Sequence, residues 1–98
     1  MSVQQNRVAV VTGGASGMGE ATCHELGRRG HKVAVLDINA DAARRVAGDL
    51  GGAGVAAIGV EVDVSKRPSV EDAFATVRAE LGPVAVLVTS AGRAAFSR

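Results

Sequence analysis

Tryptophan and tyrosine are absent from this 98-residue chain and phenylalanine occurs only twice, so aromatic packing cannot dominate its core. The 47% of hydrophobic residues are mainly Ala and Val, with some Leu and Ile and with Gly beside them, a mix suited to thin, closely packed layers of helix and strand. Cysteine is represented by Cys23 alone, which rules out an internal disulfide and a stapled, secreted design and points to a reducing compartment. Charge of one sign is not in excess: 11 Lys plus Arg stand against 10 Asp plus Glu, scattered along the chain, for a net +1. Without a basic field, nucleic acid is not an expected partner. Apolar runs such as Val8 to Val11 and Val84 to Val88 are far shorter than a membrane span, and Met1 to Gln5 is polar rather than signal-like. No membrane association is expected, and a soluble, cytoplasmic location is.

What is present is a recurring unit within the length of one domain or part of one. Arg7 to Thr12 (RVAVVT) reads as a buried strand stopped by glycines. Met18 to Arg29 reads as a helix with Met18, Ala21, Thr22 and Leu26 at helical spacing and Gly30 as its stop. Lys32 to Asp37 (KVAVLD) is a second strand, and a helix from Asn39 or Ala40 runs to Leu50, where Gly51-Gly52-Ala53-Gly54 breaks it. Val55 to Val62 is a third strand, interrupted by Gly59. After Asp63-Val64, Ser65 is placed to cap a third helix with Pro68 in its first turn and Val70, Phe74, Val77 and Leu81 as its buried stripe. Gly82-Pro83 ends that helix, Pro83 to Ser90 is a fourth strand, and Ala91-Gly92 begins the next turn. Strands alternating with helices predict an α/β fold: a doubly wound parallel sheet of about four strands in spatial order 3-2-1-4.

The chemistry concentrates after the first strand. Gly13-Gly14-Ala15-Ser16-Gly17-Met18-Gly19 leads into a helix whose first amides lack internal partners and so attract anions. Glycine suits this turn because some positions need backbone angles closed to other residues and because a side chain would keep a pyrophosphate from the helix end. Ser16 adds a hydroxyl. Asp37 ends the second strand roughly 20 residues beyond the turn, where a carboxylate can accept hydrogen bonds from a ribose diol. The same acid would repel a 2'-phosphate, and Ile38 and Asn39 supply no compensating cation, so NAD is expected over NADP.

Other motifs do not fit. A phosphate-binding P-loop needs Gly-Lys-Ser/Thr, whereas Gly17 precedes Met18-Gly19-Glu20. His24-Glu25 lacks the second histidine of a zinc-protease helix, since Arg28 stands four residues on, and no metal site is predicted. Cys23 reads as a small packed residue, His24 as a solvated one and His31 as an ordinary loop residue. A methyltransferase would use a similar turn and acid for S-adenosylmethionine, but the Thr12 motif and Asp63-Val64 argue against it.

Thr12-Gly13-Gly14-Ala15-Ser16-Gly17-Met18-Gly19 resembles the Thr-Gly-x-x-x-Gly-x-Gly pattern of the short-chain dehydrogenase/reductase family. Asp63-Val64 resembles that family's adenine-contacting pair, and Thr89-Ser90-Ala91-Gly92 its Asn-Asn-Ala-Gly segment, with Thr and Ser in place of two asparagines. The resemblance implies a Rossmann fold in which Gly13, Ser16, Gly17, Met18 and Gly19 line the pyrophosphate and nicotinamide side. Asp37 and Ile38 would hold the adenosine ribose, Asp63 and Val64 would meet adenine, and Ser90, Ala91 and Gly92 would border the cofactor mainly through backbone.

The resemblance further implies reversible hydride transfer between the nicotinamide and a small-molecule alcohol or carbonyl, carried out by a Ser, a Tyr and a Lys beyond this segment. Here there is no tyrosine, and the two lysines, Lys32 and Lys66, do not match Tyr-x-x-x-Lys, so no catalytic residue is assigned. Residues 1–98 are therefore expected to be the N-terminal dinucleotide-binding portion of a single domain, truncated before its catalytic half. The alternative is a catalytically silent nucleotide-binding or self-associating module, because the fourth strand would be left as an exposed apolar edge.

Overall fold

Valine and alanine so dominate the first two strand runs that both faces of each can be buried, and the fold buries both. The computed structural model describes residues 7–89. Its elements are β1 (Val8–Thr12), α1 (Gly17–Arg28), β2 (Lys32–Asp37), α2 (Ala40–Gly52), β3 (Ala57–Glu61), α3 (Arg67–Glu80) and β4 (Val84–Thr89). The four strands form one sheet in the order β3-β2-β1-β4, with every neighbouring pair parallel. This is the doubly wound α/β arrangement that the alternation predicted.

Alternate residues of the strands feed two cores. Val11, Val33 and Val35 face Cys23 of α1 and Ala43, Val46 and Leu50 of α2. Val8, Val10, Ala34 and Leu36 face Ala73 and Val77 of α3 on the opposite side. Burying each Val or Leu side chain contributes roughly 1.5–3 kcal/mol, so the central pair β1 and β2, almost wholly inaccessible, anchors the fold. At the sheet's edge, β4 joins β1 with a register irregularity: Val8 pairs with Val84 but Ala9 with Val86. Its side chains alternate between half-buried and exposed, and Leu87 is 54% exposed.

Three local expectations are corrected. In α1 the buried positions are Gly19 and Cys23, with Leu26 packed beside them, whereas Met18 and Ala21 face outward. Small residues win because the helix lies close to the chain around it: a Cβ at Gly27 would come within 2.9 Å of Val55. Second, α2 does not stop at Leu50 but continues through Gly51 and Gly52. Leu50 is buried and its carbonyl accepts the amides of Ala53 and Val55, both at 3.0 Å, which closes the last turn over glycines that would otherwise fray.

Third, Ser65 does not cap α3. The N-cap position is Lys66, whose side chain makes no capping bond, while Ser65 turns back to Asp63. Pro68 does fall in the first turn. Of the expected stripe, Val77 is fully buried and Val70, Phe74 and Leu81 only partly, while Ala73, outside that stripe, is buried with Val77. At the other end of α3, Lys32 donates from Nζ to the Leu81 carbonyl at 3.2 Å, placing a cation where helix carbonyls lack partners.

Candidate functional site

In a parallel sheet all strand ends of one kind lie on one side, so the segments after β1, β2 and β3 share a rim. The glycine turn follows β1, which lies next to β4 at the point where the strand order reverses. Crevices outside the carboxyl ends of strands form at such reversals.

Gly13 takes φ 69°, the left-handed region open to glycine, and so turns the chain out of β1. The Gly13 carbonyl accepts the Ser16 hydroxyl at 3.1 Å and, more weakly, the Ser16 amide at 3.4 Å. Ser16 is the N-cap residue of α1, yet its side chain makes no cap bond to the helix. Its hydroxyl is held by the turn instead, and the first-turn amides have no side-chain partner among the described residues. A Cβ at Gly14 would meet the Val11 carbonyl at 2.9 Å, Val35 at 3.0 Å and the Cys23 sulfur at 3.2 Å. At Gly17 the opposite holds: among the described residues no atom from outside the local helix lies within 4 Å of the Cβ position, so open space stands over the first turn of α1.

Asp37 reaches this turn. Its Oδ2 accepts the Ala15 amide at 3.1 Å and its Oδ1 the Asn39 amide at 3.0 Å, while the Leu36 carbonyl accepts the Gly14 amide at 3.0 Å. Asn39 in turn caps α2 by accepting the Ala42 amide at 3.0 Å. At the end of β3, the Asp63 carboxylate accepts both the amide (3.0 Å) and the hydroxyl (2.6 Å) of Ser65, and these bonds hold its carboxyl below the usual carboxylate range, with Lys66 adding to the effect. The Asp63 amide donates to the Ser69 hydroxyl at 2.9 Å.

Along the same rim, Met18, Ile38 and Val64 are 81%, 64% and 62% exposed, and they are three of the four large hydrophobic residues exposed among the described residues. The rim therefore gathers Gly13, Ser16, Gly17, Met18, Gly19, Asp37, Ile38, Asp63 and Val64 from three separate strand ends. Ser90, Ala91 and Gly92 lie outside the described residues.

Sequence reasoning did not single out Ala15 or Ser69. Ala15 acts through its amide, which no side chain advertises, and Ser69 through a fold-made contact six residues from Asp63. Cys23 is buried, as expected, with its sulfur 3.7 Å from the Gly14 carbonyl; burial, helped by the Glu20 charge, pushes the thiol up to about 12. His24 is half-exposed, 3.8 Å from Glu20. His31 is less ordinary than expected: its Nδ1 is buried without a hydrogen-bond partner among the described residues. Among those residues no three His, Cys, Asp or Glu side chains gather as metal ligands, and no helix is long and apolar enough to cross a membrane.

Fold and rim together define a dinucleotide-binding architecture of the Rossmann type. The chain belongs to the short chain dehydrogenase family, whose model matches residues 7–98. It is 42% identical over 86 residues to a D-threitol dehydrogenase of Mycolicibacterium smegmatis, covering 88% of this chain and 33% of that protein. A carbonyl reductase family member 4 of Danio rerio is 40% identical over 87 residues, covering 89% of this chain and 36% of that one. Among solved structures, an actinorhodin polyketide ketoreductase variant with NADPH superposes with a TM-score of 0.84 at 40% identity, over 95% of this chain and 36% of the other. The 3-ketoacyl-(acyl-carrier-protein) reductase from Brucella melitensis complexed with NADH gives a TM-score of 0.79 at 35% identity, over 85% and 33%. The chain thus spans about a third of the length of each of these relatives.

Proposed function

We propose that the rim is the adenosine and pyrophosphate half of an NAD site, and that residues 1–98 are the amino-terminal portion of a single dinucleotide-binding domain. The observation that carries this reading is the convergence of an uncapped helix end, a carboxylate tied to the same turn, and three exposed apolar side chains. Open space over Gly17 admits a pyrophosphate to the first-turn amides of α1, flanked by Gly13, Ser16, Met18 and Gly19. Asp37, with both oxygens already oriented, accepts from the ribose hydroxyls beside Ile38. Asp63 and Val64 meet the adenine, where covering an exposed valine removes apolar surface from water at roughly 25 cal/mol per Å².

Relatives support a nicotinamide dinucleotide and differ on which one, since one solved neighbour holds NADH and another NADPH. In this chain Asp37 supports NAD. A 2'-phosphate placed about 4 Å from its carboxylate would be repelled by roughly 1 to 4 kcal/mol as the effective dielectric falls from 80 to 20. Calorimetric titration with NAD, NADP and S-adenosylmethionine tests this. NAD is expected to bind at least tenfold tighter than NADP, with no binding of S-adenosylmethionine; a preference for NADP overturns the role of Asp37.

The parent polypeptide is proposed to be an NAD-dependent oxidoreductase acting on a small-molecule alcohol or carbonyl, a class supported by the names of the dehydrogenase and reductase relatives. When bound, the nicotinamide gives or accepts the hydride; the residues of this chain bind and orient the cofactor, and none is assigned to proton transfer. A reducing, cytoplasmic location belongs to the same proposal and is supported by the buried free thiol of Cys23. A second reading, self-association through β4 in a catalytically silent module, is favoured by the exposure of Leu87 on an edge strand. Sedimentation velocity over a range of concentrations, comparing the chain with Leu87→Lys, tests it: a concentration-dependent increase in mass lost in the variant is expected.

A further inference from the structure

We infer that Asp37 is a positioning residue of the glycine turn as well as a ribose contact, so that it couples the ribose end of the site to the phosphate end. The inference rests on the binding-site reading above. Two consecutive amides of the turn are held by the end of β2: that of Gly14 by the Leu36 carbonyl at 3.0 Å and that of Ala15 by Asp37 Oδ2 at 3.1 Å. The first is backbone to backbone and needs no particular side chain at position 37. The second depends on one carboxylate reaching across 22 residues of sequence. That carboxylate is itself aimed by the Asn39 amide on its other oxygen, and Asn39 is fixed as the cap of α2. A rigid chain of contacts therefore runs from the first turn of α2 through Asp37 into the loop that presents the α1 amides.

Removing Asp37 then has two effects of opposite sign on an anion at the end of α1. Loss of a negative charge favours the anion. Release of the Ala15 amide loosens the turn and disfavours it, because amide bonds to charged acceptors are among the stronger hydrogen bonds. Exchanging Asp37 to admit a 2'-phosphate would thus give back part of what removing its charge gains at the pyrophosphate, a cost that charge repulsion alone does not predict.

Neutral variants separate the two effects. Asp37→Asn, Asp37→Ser and Asp37→Ala all lose the same charge but differ in reach: the single amide oxygen of Asn can still hold Ala15 by giving up the Asn39 contact, the hydroxyl is too short to span the gap, and the methyl accepts nothing. Amide hydrogen exchange of Ala15 without ligand, and affinity for inorganic pyrophosphate by NMR titration, are measured on the full chain and each variant. In Asp37→Ser and Asp37→Ala, Ala15 should exchange on the order of tenfold faster than in the wild type. Across the three neutral variants, pyrophosphate affinity should follow Ala15 protection, with Asp37→Asn binding severalfold more tightly than Asp37→Ala. Unchanged Ala15 exchange in Asp37→Ser and Asp37→Ala overturns the inference, and so does equal pyrophosphate affinity across the neutral set. If pyrophosphate binds none of the chains, the binding-site reading fails instead, a result distinguishable because the Ala15 measurement uses no ligand. The Ser variant keeps the comparison decisive should Asp37→Ala not fold.

Discussion

Gly19 lies so close to Gly13 that a Cβ built on it would overlap the Gly13 carbonyl oxygen. The helix that follows the turn is therefore pressed directly onto the turn's backbone, and Gly19 is required by the protein's own packing. Gly17, two residues earlier, has nothing from outside the local helix within 4 Å of its Cβ position among the described residues.

The two glycines are expected to fail differently. Gly19→Ala should destabilise the fold by roughly 1–3 kcal/mol through overpacking against backbone. Gly17→Ala should leave stability unchanged or raise it by up to about 1 kcal/mol, since alanine is the better helix former. Its methyl group would nonetheless stand in the space assigned to pyrophosphate and lower NAD affinity by about tenfold or more. Urea midpoints and NAD titration of both variants check this; Gly17→Ala binding NAD like the wild type would remove the ligand from that space.

Gly59 marks another close approach, where α2 crosses β3. A Cβ there would sit 2.5 Å from the Ala43 carbonyl oxygen and 2.7 Å from the Arg44 nitrogen, both backbone atoms with no rotamer to yield. Gly59→Ala is expected to cost roughly 1–3 kcal/mol, read as a lower urea midpoint with an unchanged slope.

The Cys23 thiol offers a pH-dependent readout of packing beneath the turn. Its folded value, about 12, lies above its ordinary value of 9.0. Such a group contributes stability that is fully present below pH 9 and is lost as pH rises from there through the folded value. Urea midpoints should therefore fall above pH 9, less so in Cys23→Ala. In the wild type, iodoacetamide at pH 8 should label Cys23 only as fast as the chain opens, and labelling as fast as in urea would contradict the burial.

On the acid side the sign reverses at Asp63. Its depressed folded value makes a contribution that is present above the ordinary carboxylate range and is lost as pH falls through the folded value. Ser65→Ala removes the largest cause of that depression, so the Asp63 titration followed by carboxyl-carbon NMR should move up toward the ordinary range. A titration identical to the wild type would show that the Ser65 hydroxyl does not hold the carboxylate.

How far the fold could be read in advance depended on the kind of signal. β2 was legible to the residue because its apolar run, Val33 to Leu36, is bounded by the charged Lys32 and Asp37, where burial also ends. Strand order followed from alternation of strands and helices. Helix faces and ends were less legible: the buried line of α1 runs through Gly19 and Cys23 rather than Met18 and Ala21, and hydrophobicity does not mark a glycine as the contact residue. Ser65 looked like a cap by residue type, but the nearer carboxylate of Asp63 took its hydroxyl.

For the candidate site, the sequence alone determined which residues gather at one rim, since parallel strands place the segments after β1, β2 and β3 on the same side whatever their spacing. It also determined family membership in outline, through the Thr12 to Gly19 motif. Only the tertiary structure decided how the parts are joined. The bond from Ala15 to Asp37 spans 22 residues and involves a backbone amide, so it has no imprint in local pattern and exists only once β1 and β2 pair. Packing likewise separated the glycine that the fold requires, Gly19, from the one it leaves open, Gly17, because that difference is a matter of which atoms come near.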